Sequence, residues 1–166
     1  AFAGFPATGG GGIYKVSWNG FGMTALKPPG EEVGAAAWSP TGDRIAFVKT
    51  LAGQRDIWVI NSNGTGETRL TTDPANDELP AWSPDGNRIV FQSRRSGHFE
   101  LWVMNADGTG QAQLTNSEIT LPRSSSENVW PSWARTGPAD ESVAEALIGQ
   151  AYWIWWSGTQ LENPAM

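Results

Sequence analysis

The chain contains a single histidine, His98, and this limits the acid–base and nucleophilic chemistry that its sequence can support. Serine hydrolases need a nucleophile, a histidine base and an orienting acid. The Gly-x-Ser-x-Gly segment that exposes a nucleophilic serine on a sharp turn does not occur. There is also no cysteine, so a zinc site would have to rely on one histidine. We therefore predict no catalytic residues, no metal site and no cofactor.

Two polar loops carry charged side chains that could contact a partner or a ligand. One is the loop at residues 94–99, and the other is the acidic connection at residues 72–78. The candidate binding residues in these loops are Asp77, Glu78, Arg94, Arg95 and His98. Solvated loops would have the same composition, so the sequence leaves both interpretations open.

Two glycine-containing turns resemble parts of calcium-binding loops. Residues 61–66 read Asn-Ser-Asn-Gly-Thr-Gly and residues 105–110 read Asn-Ala-Asp-Gly-Thr-Gly. Calcium loops of the helical type also need a glutamate at the twelfth position and flanking helices, and both are missing here. Because Asn-Gly or Asp-Gly between extended segments is a strong hairpin signal, we predict hairpin turns at both places.

The ten tryptophans divide into those that recur at a fixed spacing and those that do not. The recurring rings are Trp38, Trp82 and Trp133 at one position, and Trp58, Trp102 and Trp153, with Tyr14, at another. Recurrence favours packing between repeated units, where a large ring fills space. The other rings, which could stack on a sugar or anchor an interface, are Trp18, Trp130, Trp155 and Trp156. We predict Trp130 as a binding residue and the remaining three as interface residues.

An internal repeat sets this spacing. Residues 38–71 recur as residues 82–115, 44 positions later, without a gap and with 16 of 34 positions identical. Both copies contain Trp-Ser-Pro-x-Gly-x-Arg-Ile-x-Phe, then Trp-Val-x-Asn-x-x-Gly-Thr-Gly, then Leu-Thr. A period in the low forties with turn signals inside each copy is typical of a four-stranded propeller blade.

Within the second copy, four extended segments alternate with turns, as an antiparallel sheet requires. The strands are predicted at residues 79–83, 87–93, 100–105 and 111–115. In the Ser-Pro-Asp-Gly turn between the first two, proline presets its own backbone angle and glycine tolerates a positive φ. Because the connection with Glu78 leads into an inner strand, we expect Glu78 to approach the axial channel.

The repeat extends in both directions and predicts an all-β propeller with about three and a half blades per chain. We place a partial blade at residues 1–26, full blades at 33–71 and 77–115, and a degenerate blade at 128–164. In the degenerate blade the spacing widens from 44 to 51 and the Ile-x-Phe pair is absent. There, residues 142–148 could form a short helix or a weak strand.

The tandem Trp-Ser-Pro-Asp-Gly-x-Arg-Ile-x-Phe and Asp-Ile-Trp-Val-x-Asn-x-x-Gly-Thr-Gly motifs resemble the propeller domain of TolB-type proteins over residues 12–133. The resemblance implies a six-bladed propeller that binds protein partners of the cell envelope, and therefore a periplasmic or extracellular location. Similar blades also occur in peptidases of the prolyl oligopeptidase and tricorn-like classes. In those enzymes the chemistry lies in an attached domain.

The charge of the chain argues against two classes of partner. Its formal net charge is −6, from 11 Lys and Arg and 17 Asp and Glu. The electrostatic field of this negative charge would repel nucleic acid and anionic membrane surfaces. No apolar run reaches the length of about 18 residues that a membrane-spanning helix needs. We therefore predict no nucleic-acid binding and no membrane insertion.

The predicted blade number leads to a prediction about association. A propeller ring typically needs four to eight blades, and a shorter array leaves apolar sheet faces uncovered. The chain then either associates with itself, for example as a dimer of half-propellers, or is a piece of a longer protein. We predict a non-catalytic binding or scaffolding segment whose partner is itself or another protein. The alternatives are a carbohydrate-binding, lectin-like module and a propeller fragment of a peptidase or polysaccharide-degrading enzyme.

Overall fold

The computed structural model describes residues 2–4, 11–17, 22–28, 30–115, 129–135 and 144–150. These residues form thirteen short β-strands. None of them belongs to a helix, and hence none to a helix that could span a membrane. The strands form antiparallel sheets in which the strand order follows the chain. The predicted all-β class is confirmed.

The first sheet has three strands: β1 (Phe2–Gly4), β2 (Gly12–Lys15) and β3 (Thr24–Lys27). Phe2 pairs with Tyr14 in this sheet, as Phe47 pairs with Trp58 in the next one. The register of this sheet therefore matches that of the next one, with one more residue between the two paired positions. We call this sheet the partial blade.

Two four-stranded sheets follow, with the same internal order. The first full blade contains β4 (Val33–Trp38), β5 (Arg44–Leu51), β6 (Gln54–Asn61) and β7 (Thr68–Arg69). The second full blade contains β8 (Asp77–Trp82), β9 (Arg88–Ser93), β10 (Glu100–Asn105) and β11 (Ala112–Gln113). The four strands predicted for the second blade are confirmed, with a first strand that begins two residues earlier and a shorter outer strand. Leu114 and Thr115 leave the ladder because their N–H groups both donate to the carbonyl of Leu101, at 2.8 and 3.4 Å.

The last described sheet pairs β12 (Val129–Arg135) with β13 (Ala144–Gln150). Residues 142–148 were predicted as a short helix or a weak strand, and the structure shows a strand from residue 144 onward. Trp133 pairs with Ala146, whereas Trp82 pairs with Ile89 only seven positions later. More residues thus separate these paired positions than in the full blades, where a Ser-Pro-x-Gly turn joins the first two strands.

Three predicted interface residues lie outside the described residues: Trp18, Trp155 and Trp156. The backbone of Trp130 lies in β12, where it pairs with Gly149. The roles assigned to these four rings stay predictions.

The first strands of successive sheets lie side by side. Strand β8 contacts both β4 and β12. In a propeller the innermost strands are arranged in this way around the axis. A partial propeller of four-stranded antiparallel blades is therefore confirmed for the described residues.

The hydrophobic core lies between blades. One cluster joins the partial blade to the first full blade and contains Ile13, Val33, Ile45, Phe47 and Ile60. The other joins the two full blades and contains Ala46, Val48, Ile57, Val59, Leu70, Trp82, Ile89, Phe91 and Met104. Trp38 and Trp58 pack against the first cluster, and Trp102 packs against the second. Packing between blades is thus confirmed for these repeated tryptophans.

Two turn glycines bring each full blade close to the outer strand of the preceding blade. A methyl group on Gly64 would lie 3.3 Å from the carbonyl oxygen of Leu26. At Gly108 it would lie 2.9 Å from the carbonyl oxygen of Leu70. Both glycines have a positive φ, 86° and 88°. The contact at Gly108 leaves no room for a side chain, and the contact at Gly64 leaves very little.

We expect Gly108→Ala to lower the free energy of unfolding by about 2–3 kcal/mol, because it adds a clash with Leu70 to left-handed backbone strain. Gly97 is the matched control, since its φ is also 88° but no atom lies within 4 Å of the added methyl group. Gly97→Ala should cost only about 1 kcal/mol. Urea unfolding followed by tryptophan fluorescence measures both variants. Equal losses would show that the contact with Leu70 contributes nothing.

Candidate functional site

The inner strands of the two full blades are bulged at equivalent positions. The pairing of β4 with β5 shifts next to Ala35, and the pairing of β8 with β9 shifts next to Leu79. Ala35 has a φ of 45° and Leu79 a φ of 54°, which are left-handed values for residues with a side chain. Such a conformation costs about 1–2 kcal/mol per residue. Bulges are frequent at barrel rims and beside functional sites, where they redirect side chains.

Both bulges line a cleft of about 330 Å³ between β4 and β8. Apolar side chains and main chain form much of its wall, including Gly11, Val33, Gly34, Val48 and Leu79. The charged residues in the wall are Glu32, Arg55 and Glu78. Because β4 and β8 are the first strands of adjacent blades, the cleft lies on the axial side. Its volume is in the range of sites that hold a small molecule or a side chain of a partner.

An ion pair joins the two full blades within this cleft. The Nη1 atom of Arg55 lies 2.8 Å from the Oε1 atom of Glu78. The Arg55 side chain is 53% exposed and that of Glu78 is 20% exposed. The guanidinium group therefore faces solvent, while the carboxylate is largely enclosed. The structure thus places Glu78 in the axial cleft.

Asn76 holds the hairpin loops of the two full blades together. Its side-chain oxygen accepts a hydrogen bond from the N–H of Arg55 at 3.2 Å, and its carbonyl accepts one from the N–H of Arg94 at 3.2 Å. The guanidinium group of Arg94 stacks over the Phe99 ring at 4.0 Å. His98 is exposed in the same loop. Arg94 and His98 therefore belong to a solvent-facing loop next to the cleft.

Asp77 and Arg95 form an ion pair at the contact between blades. The Nη2 atom of Arg95 lies 2.8 Å from Oδ2 of Asp77, whose side chain is fully buried, and Arg95 is only 12% exposed. Arg95 also donates to Oε1 of Gln111 at 2.5 Å, and its guanidinium lies 4.9 Å from the centre of the Trp102 ring. These contacts engage the guanidinium group of Arg95 and one carboxylate oxygen of Asp77 within the protein. The geometry favours a structural role for this pair.

A similar arrangement occurs one blade earlier. The Nζ atom of Lys49 lies 5.0 Å from the centre of the Trp58 ring and 2.8 Å from Oε1 of Glu67. Trp58 and Glu67 are the residues that the repeat aligns with Trp102 and Gln111. The tryptophan ring and the oxygen acceptor thus lie at equivalent positions of the two repeats. The cation does not, because Lys49 supplies it in the first full blade and Arg95 in the second. We interpret this stack as a connection between blades.

Lys49 also belongs to a network of four charges between the partial blade and the first full blade. Lys27 and Lys49 each contact both Glu31 and Glu67. Burial lowers the pKa of Lys49, but hydrogen bonds to the two carboxylates outweigh it and raise this pKa. Burial likewise raises the pKa of Glu67, but hydrogen bonds from the two lysines outweigh it and lower this pKa. The hydrogen bond from Lys49 lowers the pKa of Glu31.

We expect Glu67→Gln to lower the free energy of unfolding by about 1 kcal/mol at pH 7 and by much less near pH 3. The folded-state pKa of Glu67 is below its ordinary value of 4.5, so the stabilisation is complete above that value and is lost as pH falls through the lower pKa. Urea midpoints across this range measure the effect. Glu32→Gln, which removes an exposed carboxylate outside the network, should leave the profile unchanged. If the urea midpoints of Glu67→Gln and of the wild type changed with pH in the same way, the prediction would be contradicted.

A buried hydrogen-bond network lies at the outer side of the first full blade. Asp56 is fully buried, with its Oδ2 atom 2.6 Å from Nη2 of Arg69. The Nε atom of Arg69 donates to the carbonyl of Thr71 at 2.8 Å. The Thr71 hydroxyl accepts from the N–H of Ile57 at 3.0 Å. Burial raises the pKa of Asp56, and the charge of Arg69 opposes this rise.

The second full blade repeats this network without the arginine. The N–H of Leu101 donates to the Thr115 hydroxyl at 2.9 Å, and Gln113 donates to the carbonyl of Thr115 at 2.6 Å. Glu100 replaces the aspartate, and its Oε2 atom accepts from the Thr115 hydroxyl at 2.5 Å. The Leu-Thr end of each repeat therefore anchors the outer strand.

The turns that resemble calcium loops use their oxygens internally. The Oδ1 atom of Asp107 accepts from the N–H and the hydroxyl of Thr109, at 2.9 and 2.6 Å. Asn63 accepts the same two bonds from Thr65, at 3.0 and 2.7 Å. The bonds from Thr109 lower the pKa of Asp107. The predicted hairpin turns are confirmed, and the residues that the structure describes contain no cluster of acidic or histidine side chains suited to a metal.

The sequence predicted a binding role for Glu78 but none for Arg55 or Glu32, which line the same cleft. A signal was present for Arg55. The repeat aligns it with Phe99, so a charged residue replaces an aromatic one. At Arg55 the departure from the repeat is therefore a signal that the polarity of the predicted loops did not give.

The fold and the sequence both match known propellers. A family model described as the TolB beta propeller domain matches residues 25–139. A solved TolB-type protein from Agrobacterium tumefaciens is 26% identical, with a TM-score of 0.63, and the match covers 78% of this chain and 44% of that protein. TolB from Acinetobacter baumannii is 22% identical, with a TM-score of 0.60, over 69% of this chain and 29% of that protein.

More distant likenesses show the fold alone. The tricorn protease is 17% identical, with a TM-score of 0.52, over 69% of this chain and 10% of that protein. No protein with a curated description matches. The chain spans less than half the length of the TolB structures that it matches.

Proposed function

Because the chain belongs to the TolB beta propeller domain family, we propose that it is a non-catalytic binding module that presents its axial cleft to a protein partner. One observation carries the proposal: the ion pair between Arg55 and Glu78 lies in the cleft at positions that the repeat does not require. The repeat aligns Arg55 with Phe99 and Glu78 with Gly34. Charged groups that are unique to one concave surface serve recognition better than packing.

The loops beside the cleft support the same function. Leu51 and Phe99 are 53% and 44% exposed, and they lie on the two hairpins that Asn76 connects. Phe99 is covered on one face by Arg94. Exposed aromatic, aliphatic and arginine side chains together have the composition of protein interfaces.

Photo-crosslinking tests this function. A photoreactive residue at Thr50, which lines the cleft, is expected to link to another protein chain in the cells that produce the protein. The same residue at Thr68, exposed on the outer strand β7, is the control. Equal cross-linking at the two positions, or none at Thr50, would contradict a cleft-based binding function.

Self-association is the second part of the proposal. A second copy would cover the blade faces that a partial ring leaves open. The monomer mass is 17.9 kDa. Light scattering of the purified chain is expected to give about twice this mass. A monomer mass at all concentrations would contradict the half-propeller dimer. Binding to a different protein would still be tested by the cross-links.

The described tryptophans favour protein binding over the carbohydrate-binding alternative. Cations cover the rings of Trp58 and Trp102. Trp82 is buried, and its indole N–H donates to a backbone carbonyl at 3.2 Å. A glycan array is expected to be blank, and sugar binding that disappears in Trp130→Ala would support the lectin instead.

We place this module in the periplasm or the extracellular space, in keeping with its resemblance to TolB-type proteins. The enzyme alternative has only the likeness of fold to support it, because the blade is shared by enzymes and binding proteins. Screens of the purified chain against peptide and polysaccharide substrates are expected to give no turnover. Turnover in either screen would contradict a non-catalytic role.

A further inference from the structure

We infer that the axial cleft recognises a basic side chain, arginine or lysine, on a protein partner, and that Arg55 occupies this place until the partner binds. The inference rests on the proposed function. The carboxylates of Glu32 and Glu78 line the cleft together with the single guanidinium group of Arg55. Negative groups therefore outnumber positive ones, and the cleft attracts a further cation.

Glu78 is the group that would hold this cation. Its backbone is fixed in β8 by pairing with Gln92, and its side chain is only 20% exposed. A carboxylate that is largely removed from water interacts more strongly with a cation than an exposed one does. The planar guanidinium of an arginine matches its two oxygens in a bidentate pair.

Arg55 is the displaceable member of the ion pair. Its side chain is 53% exposed, so its head group already contacts water. Exposed ion pairs contribute little to stability, and Arg55 can therefore leave at small cost. When a partner's cation replaces it, Glu78 stays paired throughout and no enclosed charge is left without a counter-ion.

The charge of the whole chain acts in the same direction. The formal net charge of −6 attracts a basic partner over distances longer than a direct contact. The apolar wall, including Val33, Val48 and Leu79, can cover the methylene groups of a lysine or arginine stem. Shape and charge therefore fit the same kind of side chain.

Peptide titrations of the full chain test this inference. The probes are three end-blocked heptapeptides of alanine and glycine that differ only in a central arginine, glutamine or glutamate. Binding is followed by amide chemical shifts of the nitrogen-15-labelled protein near Thr50 and Leu79. We expect only the arginine peptide to bind. Glu78→Gln should weaken it about tenfold, and Arg55→Ala should strengthen it about threefold.

Asp107→Asn is the matched control, because it removes one negative charge from a turn where Asn63 makes the same hydrogen bonds in the other blade. It should leave the affinity unchanged. Equal binding of the glutamine or glutamate peptide, or weaker binding in Arg55→Ala, would overturn the inference. So would the absence of binding to the wild type at about 5 mM. In that case cross-links from Thr50 to another chain would still support the proposed function, so the two failures are distinguishable.

Discussion

Replacing Arg95 by leucine is expected to lower the free energy of unfolding by about 3–5 kcal/mol. Asp77 is fully buried and would lose its cationic partner, whose Nη2 atom lies 2.8 Å from its carboxylate. A buried carboxylate without a counter-ion is costly because nothing replaces its lost hydration. Urea unfolding should be followed by circular dichroism, because Arg95 stacks on Trp102 and its removal alters the fluorescence of that ring.

The repeat supplies a matched variant that restores stability. In the first full blade, Val33 occupies the position of Asp77, and Leu51 occupies that of Arg95. Asp77→Val/Arg95→Leu therefore gives the second full blade the uncharged residues that the first one has at these two positions, and we expect it to recover all but about 1–2 kcal/mol. Arg55→Leu, which breaks an exposed pair, should cost at most about 1 kcal/mol. If the single and double variants lose equal stability, the buried charge is not the cause.

The strands of the full blades could be predicted because each has a second copy in the sequence. A turn signal that occurs twice at the same offset, such as Ser-Pro-x-Gly, places strand ends with little ambiguity. The core tryptophans could be predicted for the same reason, since Trp58 and Trp102 meet the same kind of surroundings in successive blades. The segment at residues 142–148 has no second copy, and its sequence alone left helix and strand equally open.

The partners of the charged side chains could not be predicted. Asp77 and Glu78 are neighbours in β8, and side chains of adjacent strand residues point to opposite faces. Asp77 enters the contact between blades and Glu78 lines the cleft. Which face is the cleft depends on the bulge at Leu79 and on β4 of the other blade. Local sequence contains neither piece of information, so both residues had the same predicted role.

Arg69→Gln is expected to lower the free energy of unfolding by about 3 kcal/mol at pH 7. Arg69 supplies the cation 2.6 Å from the fully buried Asp56. Glutamine occupies the equivalent position in the second full blade, where Gln113 donates to the carbonyl of Thr115. The substitution therefore keeps the neutral hydrogen bond and removes only the charge. Urea unfolding followed by tryptophan fluorescence measures the loss.

This loss should depend on pH. Burial raises the pKa of Asp56 above its ordinary value of 3.8, and the positive charge of Arg69 opposes that rise. Without Arg69 the pKa of Asp56 rises further. The folded chain then binds this proton more tightly than the unfolded chain does, so stability is gained as pH falls through the raised pKa and lost as pH rises through it. The deficit of Arg69→Gln should therefore be largest at neutral pH and should shrink in acid.

A second substitution isolates the charge of Asp56 as the cause. In Asp56→Asn/Arg69→Gln no charge remains at the site, so most of the loss at pH 7 should disappear and its pH dependence should disappear with it. Glu32→Gln, at an exposed carboxylate in the cleft, controls for the general effect of removing one negative charge. A deficit of Arg69→Gln that stayed constant from pH 7 to about pH 4 would contradict the prediction, because protonation of a buried Asp56 must reduce it. The outer strand would then depend on the shape of Arg69 rather than on its charge.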